Sequence, residues 1–388
     1  MSQRKIDFVK HNEEQKAVWQ SYAEKNPIRV PMTLGIFQRY TMFNYDVNIK
    51  RHTFKDYFND PEILLEHNLQ TQYYVKHNIP FDHEMGIPEH GWDVMIDFQN
   101  LYEAAWFGAE IEFPDNQVPS CKPFLTDDNK RSILDKGMPE LYSGIFKKVK
   151  DFHEYLTAKK ESGFTFHGKT FNLGGFTGLG TDGPLTVCCD MRGATEFLTD
   201  LMCDENYAYE LLDLVTEAAI MRISSFKKDF KGWDFTWPMY GFTDDSIELL
   251  SIDTYKEKIM PFHKKLLNAL RGESPDTLIH ICGDAQRHHK TLVEELGVTV
   301  IDTGFPMDFE RAREYVGDNC QIFGGPSVPF LESKNYQEVY DETERILKSG
   351  IADSGRFVLR EANNLPASVP IENLWAMYDC VRNTKLYN

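Results

Sequence analysis

The chain has 388 residues, with 60 acidic against 42 basic side chains and a formal net charge of −18 at pH 7. A field of that sign repels nucleic acid and anionic membranes, so neither is an expected partner, and it disfavours a polyanionic substrate unless basic residues gather locally. Hydrophobic residues at 41% and charged ones at 26% match a folded soluble protein, and no apolar run reaches the roughly 20 residues that span a bilayer.

Met1 to Lys25 is polar and charged, unlike a secretory signal, and residues 4–25 read as a polar helix. Arg29 to Gly35 reads as a short buried strand. Asp60-Pro61-Glu62 opens a helix through about residue 77, with proline at the first helical position and carboxylates near the N-terminus. Gly86 to Asn129 interleaves Gly, Pro, Trp and Asp and reads as lid-like strand and hairpin material. Pro139 to Lys160 reads as a long helix. Thr170–Gly175 and Leu185–Asp190 are apolar runs that end in turn signals, and Gly193 to Phe226 is mainly helical.

From there the pattern is regular. An aromatic strand over 234–242 precedes a helix over about 254–271. Strands over 277–282, 298–303, 321–324 and 356–361 then alternate with helices over 284–296, 308–315, 335–349 and 370–383. Short strands alternating with longer amphipathic segments indicate βαβ units and a parallel sheet. So many consecutive units, without a Gly-x-Gly-x-x-Gly after an early strand, point to a (β/α)8 barrel, also called a TIM barrel, rather than a dinucleotide fold. No linker or break in composition divides the chain. The expectation is a helical extension over residues 1–27 and one barrel over 28–388, elaborated in its N-terminal region. Seven scattered cysteines without a Cys-x-x-Cys pair suit a cytoplasmic protein with reduced thiols.

Chemistry in such a barrel sits where strands end. Strand 277–282 delivers His280 and Cys282, two positions apart and so on one face of the strand. A neutral imidazole beside a thiolate suits zinc. A buried histidine satisfied by a hydrogen bond beside an apolar cysteine is the alternative. The other strand ends carry Tyr240, Phe242, Asp244 and Asp245, then Asp302, Gly324-Gly325, and Arg360-Glu361-Ala362-Asn363-Asn364. Asp244, Asp302 and Tyr240 are the candidates for catalytic work, although both Asp244 and Asp245 precede a helix that they could simply cap. Gly325 either marks a tight turn or lets a ligand approach the backbone. Most of the aromatics in Trp233, Phe235, Trp237, Tyr240 and Phe242 read as core. His288-His289, between Arg287 and Lys290, reads as a solvated basic face rather than a second metal site.

Taken together, these stretches resemble the uroporphyrinogen decarboxylase superfamily, and within it the corrinoid-dependent methyltransferases. The matching segments are Gly183-Pro-Leu-Thr-Val…Arg192-Gly193, Asp244-Asp245-Ser246…Leu250-Ser251…Tyr255…Pro261-Phe262 and Leu278-Ile-His-Ile-Cys-Gly-Asp. They continue through Gly297-Val-Thr-Val-Ile-Asp302, Phe323-Gly-Gly-Pro…Pro329 and Leu365-Pro-Ala-Ser-Val-Pro370-Ile-Glu-Asn373, covering about residues 28–385. The resemblance implies a (β/α)8 barrel in which His280 and Cys282 supply two zinc ligands. Asn363 stands where that branch carries a third, usually cysteine, ligand. An oxygen ligand would then replace it, with Glu361 the first choice and Asp244 the second.

The implied activity is zinc-dependent transfer of a methyl group between a small methyl donor or acceptor and a corrinoid (cobalamin) carried by a partner protein. Tyr40, Trp237, Phe242 and Gly325 are the candidate substrate contacts. Together with Trp92 and Trp106, the aromatics among them could wall an aryl pocket, which suits an O-demethylase acting on a methoxylated aromatic. Two other readings stay open. One is a porphyrinogen-type decarboxylase, with Gln38-Arg39-Tyr40 near an Arg-rich loop. The other is a catalytically inactive, ligand-binding barrel, supported by Asn363 in place of the cysteine.

Overall fold

The structure is a computed structural model that describes residues 4–176, 180–230 and 239–387. Strand β1 (Trp92–Ile96) is followed by a small antiparallel hairpin, β2 (Ile111–Glu112) with β3 (Ser120–Cys121). β4 (Phe171–Phe176) pairs parallel with β1. The second half forms a parallel sheet in chain order, made of β5 (Met239–Thr243), β6 (Asp276–Ile281), β7 (Val300–Thr303), β8 (Gln321–Gly324) and β9 (Phe357–Leu359).

Helices follow the strands in turn, and spatial order equals chain order, as a barrel wound in one direction requires. Two bridges extend the ring. Asp182 pairs parallel with Thr243 between the β4 and β5 regions, and Met32 pairs parallel with Leu359 beside β9. The segment around Met32 therefore acts as the first barrel strand: Leu359 donates to the Pro31 carbonyl and Thr33 donates to Leu359, both at 2.9 Å. Among the described residues no ladder joins that segment to β1. The architecture is the expected (β/α)8 barrel.

The expected helix at the N-terminus is Phe8–Ala23, capped by Asp7. It turns His11, Gln15, Val18 and Tyr22 inward, and Tyr378 of the last helix meets the His11 ring at 3.1 Å. A carboxylate-rich joint ties the helix down, with Arg29 bonded to Asp82 at 2.6 Å and Arg382 to Glu14 at 2.8 Å.

Three local readings change. Within Gly86–Asn129, β1 is barrel core rather than lid: Trp92, Val94 and Ile96 are fully buried, and the Trp92 indole donates to the Phe166 carbonyl at 2.8 Å. The run Leu185–Asp190 lies in the helix Pro184–Arg192. Leu185, Val187, Cys188, Cys189 and Met191 are all buried, so burial on nearly every side removed the helical period from the pattern. His288 and His289 are buried, not solvated; burial pushes both down to about 4, so both are neutral near pH 7.

The end of β7 is set by a close approach. A Cβ on Gly304 would stand 1.8 Å from the Cys282 carbonyl oxygen, which also accepts the Phe305 N–H at 3.2 Å. Only glycine lets β7 leave the sheet against Cys282. Gly304→Ala is expected to cost at least about 2 kcal/mol by urea unfolding, because the clash is with backbone and cannot be relieved by a rotamer.

Candidate metal centre

On β6, Thr277, Ile279 and Ile281 are buried, while Leu278 and His280 alternate with them on a partly exposed face. His280 lies opposite Thr243 on β5 and opposite Asp302 on β7. Cys282 lies just beyond β6, two residues after His280 and therefore on the same side. Extending the β5–β6 register by two residues brings Asp245 beside Cys282, and the contacts agree: Asp245 Oδ1 accepts the Cys282 N–H at 2.7 Å. Asp245, His280 and Cys282 offer ligand atoms that all lie within 4.8 Å of one another, and no other such group occurs among the described residues.

The imidazole is oriented from behind. His280 Nδ1 donates to Asp302 Oδ2 at 2.8 Å, which leaves Nε2 facing Cys282 Sγ at 2.9 Å. A carboxylate on the far nitrogen is the usual outer partner of a metal-binding histidine. Asp302 is itself bonded to the Arg360 guanidinium, and Glu361 stands on the other side of Arg360 at 3.6 Å.

The titrations follow. Burial opposes charge on His280, but Asp302 and Cys282 outweigh it and hold the imidazole well above its usual value. Burial pushes the Cys282 thiol up, against the pull of His280. Burial likewise opposes ionisation of Asp302, yet Arg360 and His280 keep it below the usual carboxylate range. Burial raises Glu361 to about 8 in spite of Arg360.

The site residues expected from the sequence divide. His280, Cys282 and Asp302 come together. Asp244 does not join them: it is fully buried, with Oδ2 on His263 Nε2 at 2.7 Å and Oδ1 on the Thr186 amide at 2.9 Å, at the start of the helix Pro184–Arg192. Its neighbour Asp245 takes the place beside the histidine and cysteine. Glu361, the first choice as third ligand, is also fully buried, but its Oε1 accepts the Gly35 N–H at 2.8 Å and it is outside the cluster. Asn363 sits at φ 84°, a left-handed conformation that asparagine tolerates, and its Oδ1 accepts the Asn364 N–H.

The expected substrate contacts disperse. Tyr240 and Phe242 alternate with Thr243, the residue opposite His280, and so point to the other face of β5. There Phe242 packs on the His263 ring at 4.8 Å, and the Lys227 ammonium lies 5.7 Å from the Tyr240 ring. Tyr40 is 2% exposed in the core beside Tyr74. Trp106 is buried too and donates to the Glu140 carbonyl at 2.9 Å. Gly325 makes room for a neighbouring strand rather than a ligand: a Cβ there would lie 2.3 Å from the Arg360 carbonyl. Trp237 lies outside the described residues. A cavity of about 520 Å³ flanks β5, with Gln99, Glu103, Asp182, Tyr240 and Phe242 in its lining, but neither His280 nor Cys282 belongs to it.

Two residues carry weight that the strand-end reading did not assign. Arg39, on the short helix Gln38–Met42, reaches Gln99 Oε1 at 3.2 Å, and its charge interacts with Asp97 and Cys282. Arg360 was visible only as part of a strand-end string. The parity of residues 243 and 245 with 280 and 282 was the one signal that selects Asp245 over Asp244, and it requires the register of two distant strands.

The sequence and the fold match a known family. The chain belongs to the uroporphyrinogen decarboxylase family, which matches residues 14–384, beginning inside the expected helical extension. It is 25% identical over 302 residues to the uroporphyrinogen decarboxylase of Wolbachia sp. subsp. Brugia malayi, covering 75% of this chain and 77% of that one. It is also 25% identical over 141 residues to the methylcobamide:CoM methyltransferase MtbA of Methanosarcina acetivorans, covering 36% of this chain and 40% of that protein. Among solved structures, a methyltransferase from Methanosarcina mazei superposes with a TM-score of 0.65 at 18% identity, over 95% of this chain and 98% of the other. That likeness supports the barrel fold. No described helix is long and apolar enough to cross a membrane.

The geometry separates the two candidate third ligands. Asp245→Asn is expected to weaken Zn²⁺ or Co²⁺ binding at least about tenfold in a chelator competition, whereas Glu361→Gln changes it less than about twofold. The reverse order would place the third ligand at Glu361. Stability also carries a sign. Glu361 binds its proton more tightly folded (about 8) than at the ordinary value of 4.5, so its contribution is full below about 4.5 and is lost as pH rises through about 8. Glu361→Gln is therefore expected to raise the thermal midpoint relative to the parent at pH 8.5 more than at pH 5, measured by calorimetry.

Proposed function

We propose that this chain is a zinc-dependent methyltransferase that moves a methyl group between a small substrate and a corrinoid carried by a partner protein. The observation that carries the reading is the convergence of Asp245, His280 and Cys282 with Asp302 behind the imidazole. An imidazole, a thiol and a carboxylate form a donor set suited to Zn²⁺ with a position left for substrate. Asp245, His280 and Cys282 would hold the ion, which supplies Lewis acidity to a substrate heteroatom, making a thiol a thiolate or an ether oxygen a better leaving group. The resemblance to methylcobamide:CoM methyltransferase MtbA supports the corrinoid partner.

The chain's own residues prepare the site for that role. Asp302 holds the Nδ1 proton of His280 and so keeps Nε2 for the cluster. Asp245 and Cys282 are half-buried and Asp302 is buried in the strand ends, which limits water and strengthens each charge. Arg39 supplies a positive charge that interacts with Cys282. A corrinoid on the partner would supply the reduced cobalt that takes the methyl group of an ether, and the ether oxygen would keep the bonding pair and take a proton. Tyr40, Trp92 and Trp106 are core residues, so an aryl wall built from them drops out, and Leu278, Val300 and Phe323 are among the apolar groups on the face of His280 and Asp302. A methoxylated aromatic remains the first methyl donor to test, ahead of methylated amines and thiols.

A decarboxylase acting on a carboxylated porphyrinogen is the second reading, favoured by the 302-residue alignment and by Arg39 at the cluster. It needs no metal. Purified protein should carry about one zinc per chain, lost in His280→Ala and in Cys282→Ala. Reduced cobalamin with a methoxylated aromatic should show the cobalt spectral change of methylation. Full activity in metal-free protein, or decarboxylation of a porphyrinogen by the His280→Ala variant, would replace the methyltransferase reading with the second.

A further inference from the structure

The geometry points to Arg360 as a positioning residue of the metal centre, acting through Asp302 to hold the His280 imidazole with Nε2 toward Cys282 and Asp245. The inference rests on the metal-binding reading of that cluster and adds a residue to it.

Asp302 Oδ2 is a shared acceptor. It takes the His280 Nδ1–H at 2.8 Å and an N–H of the Arg360 guanidinium. The side chains of Asp302 and Arg360 are 10% and 17% exposed, so water competes little for either group. A carboxylate with one partner can rotate about its last bond and carry the imidazole with it. The fixed planar fork of a guanidinium on the same oxygen removes that freedom.

Arg360 is itself held from several sides. Its N–H donates to the Gly324 carbonyl at 2.9 Å, and its own carbonyl lies against Gly325, where a Cβ would come within 2.3 Å. The head group lies beside Glu361 Oε1, 3.6 Å from Nε, and against Gly35, where a Cβ would stand 2.7 Å from Nη2. Backbone, counter-charge and a side-chain-free loop thus place the guanidinium before any metal arrives. Four parallel positions then act as one unit: the first barrel segment at Gly35, β9 through Arg360, β7 through Asp302 and β6 through His280.

A purely structural ion pair would alter stability without acting on the metal through Asp302. A double-mutant cycle on the full chain separates the two, using Co²⁺ as the probe and reading its d–d absorption with a chelator competing. Arg360→Met should weaken Co²⁺ binding about 10- to 100-fold and change the d–d envelope. Arg360→Lys should recover part of that loss. In an Asp302→Asn background, Arg360→Met should add less than about twofold. Thermal unfolding of each metal-free variant verifies folding. An Arg360→Met affinity within about twofold of the parent, or a full additional loss in the Asp302→Asn background, would overturn the inference. A parent chain that binds no Co²⁺ would overturn the metal-binding reading as well, whereas a normal parent with an unaffected Arg360→Met removes only the role of Arg360.

Discussion

Thr243 lies opposite His280 in the ladder between β5 and β6, and most of the site follows from that register. Side chains alternate along a strand, so one pairing decides which of two adjacent aspartates joins the imidazole. With this register, Asp245 meets Cys282 while Asp244 turns outward to His263 and the start of the helix Pro184–Arg192. A slip of one residue would exchange them. The same alternation sends Phe242 and Tyr240 to the helix-facing side and leaves Leu278 with His280.

The second constraint is close backbone approach at the strand ends. Gly304 brings β7 against the Cys282 carbonyl, and Gly325 brings β8 against the Arg360 carbonyl. These contacts draw adjacent strand ends together so tightly that Asp302 reaches His280 on one side and Arg360 on the other. The chain as a whole carries a charge of −18, yet the centre is not simply acidic. Arg360 balances Asp302, and Arg39, on the short helix after the first barrel segment, adds a positive charge that interacts with Cys282. Local pairing, rather than net charge, sets the electrostatics at the strand ends.

Membership of the uroporphyrinogen decarboxylase family is consistent with both decarboxylase and methyltransferase chemistry, since relatives of both names share about a quarter of their aligned residues with this chain. The discriminating feature is local. A His-x-Cys strand end with a converging carboxylate is a donor set that suits a cation, whereas a set of arginines would be needed to hold several substrate carboxylates. Among the described residues the cluster of Asp245, His280 and Cys282 is the group of that kind, and the one arginine whose charge interacts with Cys282, Arg39, is bonded to Gln99.

The sequence by itself determined the barrel, the order of its second-half strands, and the pair His280 and Cys282, because period-2 strands alternating with helices and a two-residue spacing are local properties of the chain. It misread β1 as lid and left Leu185–Asp190 as an apolar run without a helix, because irregular flanks hid one and all-round burial erased the period of the other. The third member of the cluster was not local. Choosing Asp245 over Asp244 and Glu361, and recognising Gly325 as a strand contact, required knowing which residues of different strands stand opposite one another. Register between segments tens of residues apart is fixed by packing and by the ladder, and only the tertiary structure decides it.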